Sequence, residues 1–427
     1  MTTTLAQELN ALVVFGEHRY FGKSFPTQFS KTDAFKPDNV KYLTVEQVLA
    51  DYNDLLKQVK YTYKANNSAV IAFGGSYGGM LAGWMRQHFP QTIQGAVAAS
   101  APSLYFDGVT PEEAFYTTTT KTFSDGGTVP GHCSAVIKAA NDALAWVKAK
   151  PTTAGQIVTP LNLCTNKGTP ATADDVQNVY DHFSSALQYM AMTDYPEAAN
   201  FLQPMPAYPV SYACKLIDNV SATVAPNTTG TLNADQIRVL GALNTVASVY
   251  FNYNNVPGYC ADWKVTDATG NLGDGQGWNA LACNQVVLPM SSDGTGMFWN
   301  QGKFDKVAYN AQCQKDFGLT PQYDWALKFF GGRNVNVEWK DMTNIVWSNG
   351  TLDPWSAGGV TKNVPGWKRG DDWATEAIFI TGAAHHTDMR LPSDKDPQSL
   401  RDARDKERKH IAKWIAEYKA ANAFTPL

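Results

Sequence analysis

The chain has 427 residues, 44% of them hydrophobic and 12% aromatic, with a formal net charge of −4. That is enough apolar material for a large core, and the length suggests two domains or one domain with a big insertion. The slightly acidic balance leaves no electrostatic footprint for nucleic acid, and no apolar run reaches the roughly eighteen residues of a membrane span.

The first fifteen residues read as a core helix running into a short strand, Ala11 to Phe15. They have no basic start and no adequate apolar stretch, so they do not form a signal peptide. A helix follows from about Thr44 to Tyr61. The segment Ala69-Val-Ile-Ala-Phe-Gly-Gly-Ser-Tyr-Gly-Gly-Met80 then takes a buried strand straight into a serine bracketed by Gly74 and Gly78. That is the form of a nucleophile elbow, in which glycines let the neighbouring backbone pack closely and Ser76 projects above the carboxyl end of the sheet. Residues 79 to 90 continue as a helix ended by Pro90, and Ile93 to Ser100 is a small-residue strand. This βα alternation predicts a mainly parallel sheet.

Between about Pro102 and Gly331 the texture changes. Residues 133–147 and 171–183 read as amphipathic helices joined by Pro- and Asn-rich loops. All six cysteines, Cys133, Cys164, Cys214, Cys260, Cys283 and Cys313, lie in this region. An even number without C-x-x-C spacing favours disulfides over a zinc or redox site, and fifteen connectivities stay open. No metal and no cofactor is expected. Disulfides imply an oxidising compartment, and Asn66, Asn219, Asn227 and Asn349 head N-glycosylation sequons.

Two strands follow the insertion. Thr343 to Ser348 breaks into Asn-Gly-Thr-Leu-Asp353-Pro-Trp355, and Glu376 to Thr381 breaks into Gly-Ala-Ala-His385-His386-Thr-Asp388. A closing helix runs from about Pro397 to Tyr418, its charged stretch from Arg401 to Lys413 reading as a solvated face. Taken alone, Asp353 is a turn residue before proline and the histidines are a polar loop. Together they give the order Ser, Asp, His in which an α/β-hydrolase supplies nucleophile, orienting acid and base.

Five separated motifs carry a resemblance: Gly16-Glu-His-Arg-Tyr-Phe-Gly22, the elbow Gly74 to Met80, Ala98-Ala-Ser-Ala-Pro102, Ser348 to Trp355 and Gly382 to Arg390. They look like the serine-peptidase family of lysosomal Pro-X carboxypeptidase and dipeptidyl peptidase II. The resemblance implies an α/β-hydrolase core, here residues 1–105 and 332–427, with a helical insertion, residues 106–331, over the active site. It implies hydrolysis on the carboxyl side of proline, with peptide substrates as partners and a lysosomal or secreted location; a homodimer stays open. Carried over, Ser76 is the nucleophile, Asp353 the orienting acid and His385 the base, with His386 the alternative register. The Tyr77 N–H is one oxyanion donor. The implied disulfides are Cys133 with Cys214, Cys164 with Cys260, and Cys283 with Cys313. Met80 and Trp355 line the proline pocket, with Leu288 standing where the carboxypeptidase branch is expected to have methionine.

Asn279 is neutral where the dipeptidyl branch has an acid for the substrate ammonium, which favours the carboxypeptidase reading. A dipeptidyl peptidase, an esterase or lipase, and a catalytically impaired binding protein are the alternatives. Family members carry a further stretch ahead of Met1, with a signal, three strands and a Gly-rich loop that supplies the second oxyanion N–H. Losing one such donor lowers turnover by ~10²–10³, and an unpaired edge in mid-sheet invites aggregation. The chain as written is therefore expected to be nearly inactive and poorly soluble.

Overall fold

The computed structural model describes residues 2–26, 28–265, 275–361 and 375–422. In chain order the elements are α1 (Thr2–Leu9), α2 (Pro37–Val40), α3 (Val45–Thr62), β1 (Ile71–Gly75), α4 (Tyr77–His88) and β2 (Gly95–Ala99). The insertion contributes α5 (Ala114–Gly126), α6 (His132–Lys148), α7 (Ala173–Met192), α8 (Pro209–Leu216), α9 (Ala234–Phe251), α10 (Gln276–Ala282), α11 (Lys306–Phe317) and α12 (Trp325–Phe329). The chain closes with α13 (Val335–Glu338), β3 (Ile345–Gly350), β4 (Thr375–Ile380) and α14 (Gln398–Asn422).

The four strands form one parallel sheet in the order β1-β2-β3-β4. Alternate side chains of a strand serve opposite faces, and the central strands obey this. Ala96, Ala98, Ile345 and Trp347 join the apolar cluster under α3 and α4, whereas Val97 and Val346 join the one under α14. Burial on both faces is why these strands read as continuous apolar runs. The result is a parallel sheet covered by helices on both sides, the layering that an α/β-hydrolase core requires.

The insertion buries a separate apolar cluster, built mainly from α5 to α9. Its helix starts are written in sequence: Thr172 with Asp175, and Asn233 with Gln236, form reciprocal capping boxes at α7 and α9. Cys133–Cys214 and Cys164–Cys260 cross-link it across 81 and 96 residues of chain. In the loop-entropy model each such closure is worth about 4–5 kcal/mol. Cys283–Cys313 ties α10 to α11, and those cysteines pack with the α3–α4 side of the sheet. The three pairs are those the resemblance implied.

Two expectations need correction. Residues 11–15 form no strand, and their apolar side chains face solvent, with Leu12 60% and Phe15 83% exposed. A strand exists only where a neighbour takes its N–H and C=O groups, and no described strand pairs with this segment. The closing helix is not simply a solvated face: Arg404, Glu407 and His410 point inward and are fully buried among Leu400, Ile411 and Trp414.

Candidate active site

Ser76 sits between β1 and α4 with φ 60° and ψ −129°, a conformation that non-glycine residues adopt only under constraint. Its N–H donates to the carbonyl of Ala99 at 2.9 Å, which pins the turn to β2. A Cβ on Gly74 would lie 1.8 Å from the Gly78 carbonyl oxygen, so that position accepts only glycine. Gly78 itself has open space around it. The second tight approach is at Gly79, where a Cβ would meet the Ala99 carbonyl at 2.8 Å. The elbow thus depends on Gly74 and Gly79 rather than on the Gly74 and Gly78 bracket that identifies it in sequence.

Asp353 leaves the end of β3 and is completely buried. Its carboxylate accepts from the Trp355 N–H at 3.0 Å, so the turn reading of Asp-Pro is also true. The same carboxylate takes the Nδ1–H of His385, with distances of 2.9 Å to Oδ2 and 3.0 Å to Oδ1. A carboxylate can only accept, so Nδ1 carries the proton and Nε2 is the free, basic nitrogen. Nε2 has no hydrogen-bond partner among the described residues. His386 turns away through a left-handed backbone (φ 41°), and its N–H donates to Ser100 Oγ at 2.7 Å. Its ring packs against Gly75 and the edge of Phe201. Burial, together with the adjacent His385, holds the His386 imidazole well below its ordinary pKa.

The main chain of His385 is gripped from the insertion. Its N–H donates to the Met192 carbonyl at the end of α7 at 3.0 Å, and its carbonyl accepts from the Tyr195 hydroxyl at 3.2 Å. Arg390 lies over the Tyr195 ring at 4.1 Å. Between these contacts, Asp194 is buried and accepts the Val210 N–H at 3.0 Å; burial pushes its carboxyl up to about 7. From the other side, buried Arg404 donates to the carbonyls of Asp388, Thr387 and Arg390 and pairs with Asp396. Ser348 donates to Asp388, and Glu407, buried beside Asp388, has a pKa raised well above the usual carboxylate range. None of Met192, Asp194, Tyr195 or Arg404 lies in a pattern that sequence reading singles out for the site, since Met192 acts through its main-chain carbonyl and the other three through side-chain contacts made across the fold.

The motif Gly16 to Gly22 reaches the elbow through His18, whose Nδ1–H donates to the Arg19 carbonyl at 2.7 Å while Nε2 accepts the Tyr77 hydroxyl at 3.2 Å. Burial raises the Tyr77 hydroxyl and lowers the His18 imidazole. The Tyr77 ring meets Trp278 of α10 edge-on at 5.6 Å, and Asn279 beside it is exposed. Met80 is fully buried in the cluster that Leu288 flanks. Trp355 is half-buried, edge-on to Phe115 at 4.8 Å and Tyr105 at 5.8 Å. The described residues contain no metal-binding cluster and no helix long and apolar enough to cross a membrane. A cavity of about 390 Å³ lies apart from all these residues, between α6 and α7 of the insertion.

Comparison with known proteins gives a consistent picture. The family model for serine carboxypeptidase S28 matches residues 1–407. The chain is similar to lysosomal Pro-X carboxypeptidase of Homo sapiens, 36% identical over 97% of this chain and 77% of that protein. It is 37% identical to the Bos taurus protein of the same name, over 97% and 76%. A Caenorhabditis elegans protein named prolyl carboxy peptidase like protein 5 is 33% identical over 98% and 80%.

Proposed function

The chain belongs to the serine carboxypeptidase S28 family, a serine peptidase lineage, and from that premise we propose that it removes single C-terminal residues from peptides whose penultimate residue is proline. The observation that carries this reading is the buried His385–Asp353 pair, held at the same carboxyl edge of the sheet as the strained Ser76 elbow.

With Nδ1–H committed to Asp353, His385 Nε2 takes the Ser76 hydroxyl proton as Oγ attacks the carbonyl carbon of proline. The Tyr77 N–H, at the start of α4, faces the developing oxyanion, where a helix N-terminus favours negative charge. His385 then passes its proton to the departing amino group of the C-terminal residue. Water, deprotonated by the same nitrogen, releases the acyl group from Ser76. Met80, Leu288 and Trp355 form the apolar wall for the pyrrolidine ring, which offers little to hydrogen-bond and is selected by shape. The relatives named lysosomal, together with the three disulfides, support a lysosomal location.

The test is fluorophosphonate labelling combined with product analysis on the purified protein completed by the N-terminal stretch that family members carry. Labelling of Ser76 that Ser76→Ala abolishes, with release of the residue following proline, is the expected result. Release of N-terminal X-Pro dipeptides would move the protein to the dipeptidyl branch despite Asn279. Hydrolysis of nitrophenyl esters without cleavage of proline peptides would mark an esterase, and absence of labelling on folded protein would mark a binding protein.

A further inference from the structure

The four sequons are equivalent as sequence, and the fold separates them sharply. Asn66 lies in the turn after α3 and Asn219 in the turn after α8; both are exposed. The Asn66 main-chain carbonyl is occupied by the Tyr418 hydroxyl at 3.1 Å, which fixes the turn without using the side-chain amide. Asn227 is half-buried, and its Nδ2 donates to the Thr231 carbonyl and to Gln236 Oε1, so both amide hydrogens are committed. Asn349 is 1% exposed in the middle of the sheet, with its Nδ2 donating to the Val360 carbonyl at 2.9 Å. A Cβ on Gly359 would sit 2.1 Å from Asn349 Oδ1, so no space exists beside this side chain.

We propose that Asn66 and Asn219 are the N-glycan attachment sites of the folded protein, and that Asn227 and Asn349 carry none. In the transfer, Asn Nδ2 attacks the anomeric carbon of a lipid-diphosphate-linked oligosaccharide. The N–C bond forms, the C–O bond to the diphosphate breaks, the lipid diphosphate leaves and a transferase base takes the Nδ2 proton. The modified nitrogen must then lie in solvent, because the sugar is large and hydrated. Asn66 and Asn219 meet that condition. At Asn349 the sugar would have to enter a packed parallel sheet four residues before Asp353. It would break the Val360 bond that ties down the loop carrying the acid. Molecules glycosylated there on the translocating chain would fail to fold, so the secreted folded population is unmodified at Asn349.

The experiment is site-resolved mass spectrometry of the protein directed into the secretory pathway of a eukaryotic host by an added signal peptide, after glycosidase release in heavy-oxygen water, which converts each formerly glycosylated Asn to labelled Asp. The expected outcome is label at Asn66 and Asn219 and unlabelled Asn at 227 and 349. Asn66→Gln and Asn219→Gln should each remove one glycan step from the electrophoretic mobility, with the double variant running at the mobility of the deglycosylated protein. Asn227→Gln should leave mobility unchanged. A glycan at Asn349 or Asn227 in the folded protein, or an unmodified Asn66 or Asn219, would overturn the assignment. The readout is mass rather than activity, so it stands or falls independently of the peptidase reading.

Discussion

The sheet body and the helical insertion treat the same histidine in opposite ways. The sheet body supplies its chemistry: Asp353, at the end of β3, fixes the tautomer of the His385 ring. The insertion supplies its position: Met192 and Tyr195, beyond the reach of any catalytic motif, take both hydrogen-bonding groups of the His385 peptide. His385 is thus oriented by one body and located by the other. A movement of α7 relative to the sheet would displace His385 without altering its partner.

Three substitutions test this division. Asp353→Asn keeps the size and the acceptor for Trp355 N–H but reverses the tautomer preference at Nδ1. Turnover should fall by about 10⁴, with a thermal midpoint close to the parent's by circular dichroism. A loss below tenfold would mean that the sheet side does not set the chemistry.

Asp194→Asn probes the insertion side through pH. The Asp194 carboxyl rises from an ordinary 3.8 to about 7 in the folded protein, so the fold prefers its protonated form. Its contribution is complete below about 3.8 and is lost as pH climbs to about 7, with a slope of up to ~1.4 kcal/mol per pH unit. Buried Glu407, also raised, acts in the same direction from the sheet side. Denaturant melts at pH 4, 5.5 and 7 should show the parent losing stability with rising pH and Asp194→Asn losing markedly less. Parallel profiles for the two proteins would remove Asp194 from the account.

Tyr195→Phe removes one hydroxyl from the grip on His385. A single hydrogen bond of this kind is worth ~0.5–1.5 kcal/mol, so kcat should fall by a factor of about 2–10 while KM holds and the melting midpoint drops by no more than a few degrees. The rate of fluorophosphonate labelling should fall in step with kcat, since both report the activation of Ser76. An unchanged labelling rate would show that the insertion covers the base without positioning it.

Much of the sheet body was legible in the sequence because its rules are local. Apolar runs ending in Gly-x-Ser-x-Gly, in Asn-Gly-Thr-Leu-Asp-Pro and in Gly-Ala-Ala-His-His mark β1, β3 and β4 with their loops, and the observed strands lie within a few residues of the expected ones. Residues 11–15 failed for a physical reason: alternation and β-propensity describe a side-chain pattern, whereas a strand also needs a partner edge. Spacing likewise left His385 and His386 equal. The fold separates them, because the left-handed turn at His386 swings its ring onto Gly75 while His385 faces Asp353.

By itself, then, the sequence determined the chain order of Ser76, Asp353 and His385, the parallel sheet that carries their loops and the family to which the chain belongs, since each is written in contiguous residues whose backbone geometry is short-range. The tertiary structure alone decided which glycine closes the elbow, which histidine meets the carboxylate, which sequons reach solvent, and that Met192 and Tyr195 hold the main chain of His385. Those outcomes depend on burial and on distances between segments up to 352 residues apart in the chain, which folding sets and no local pattern encodes.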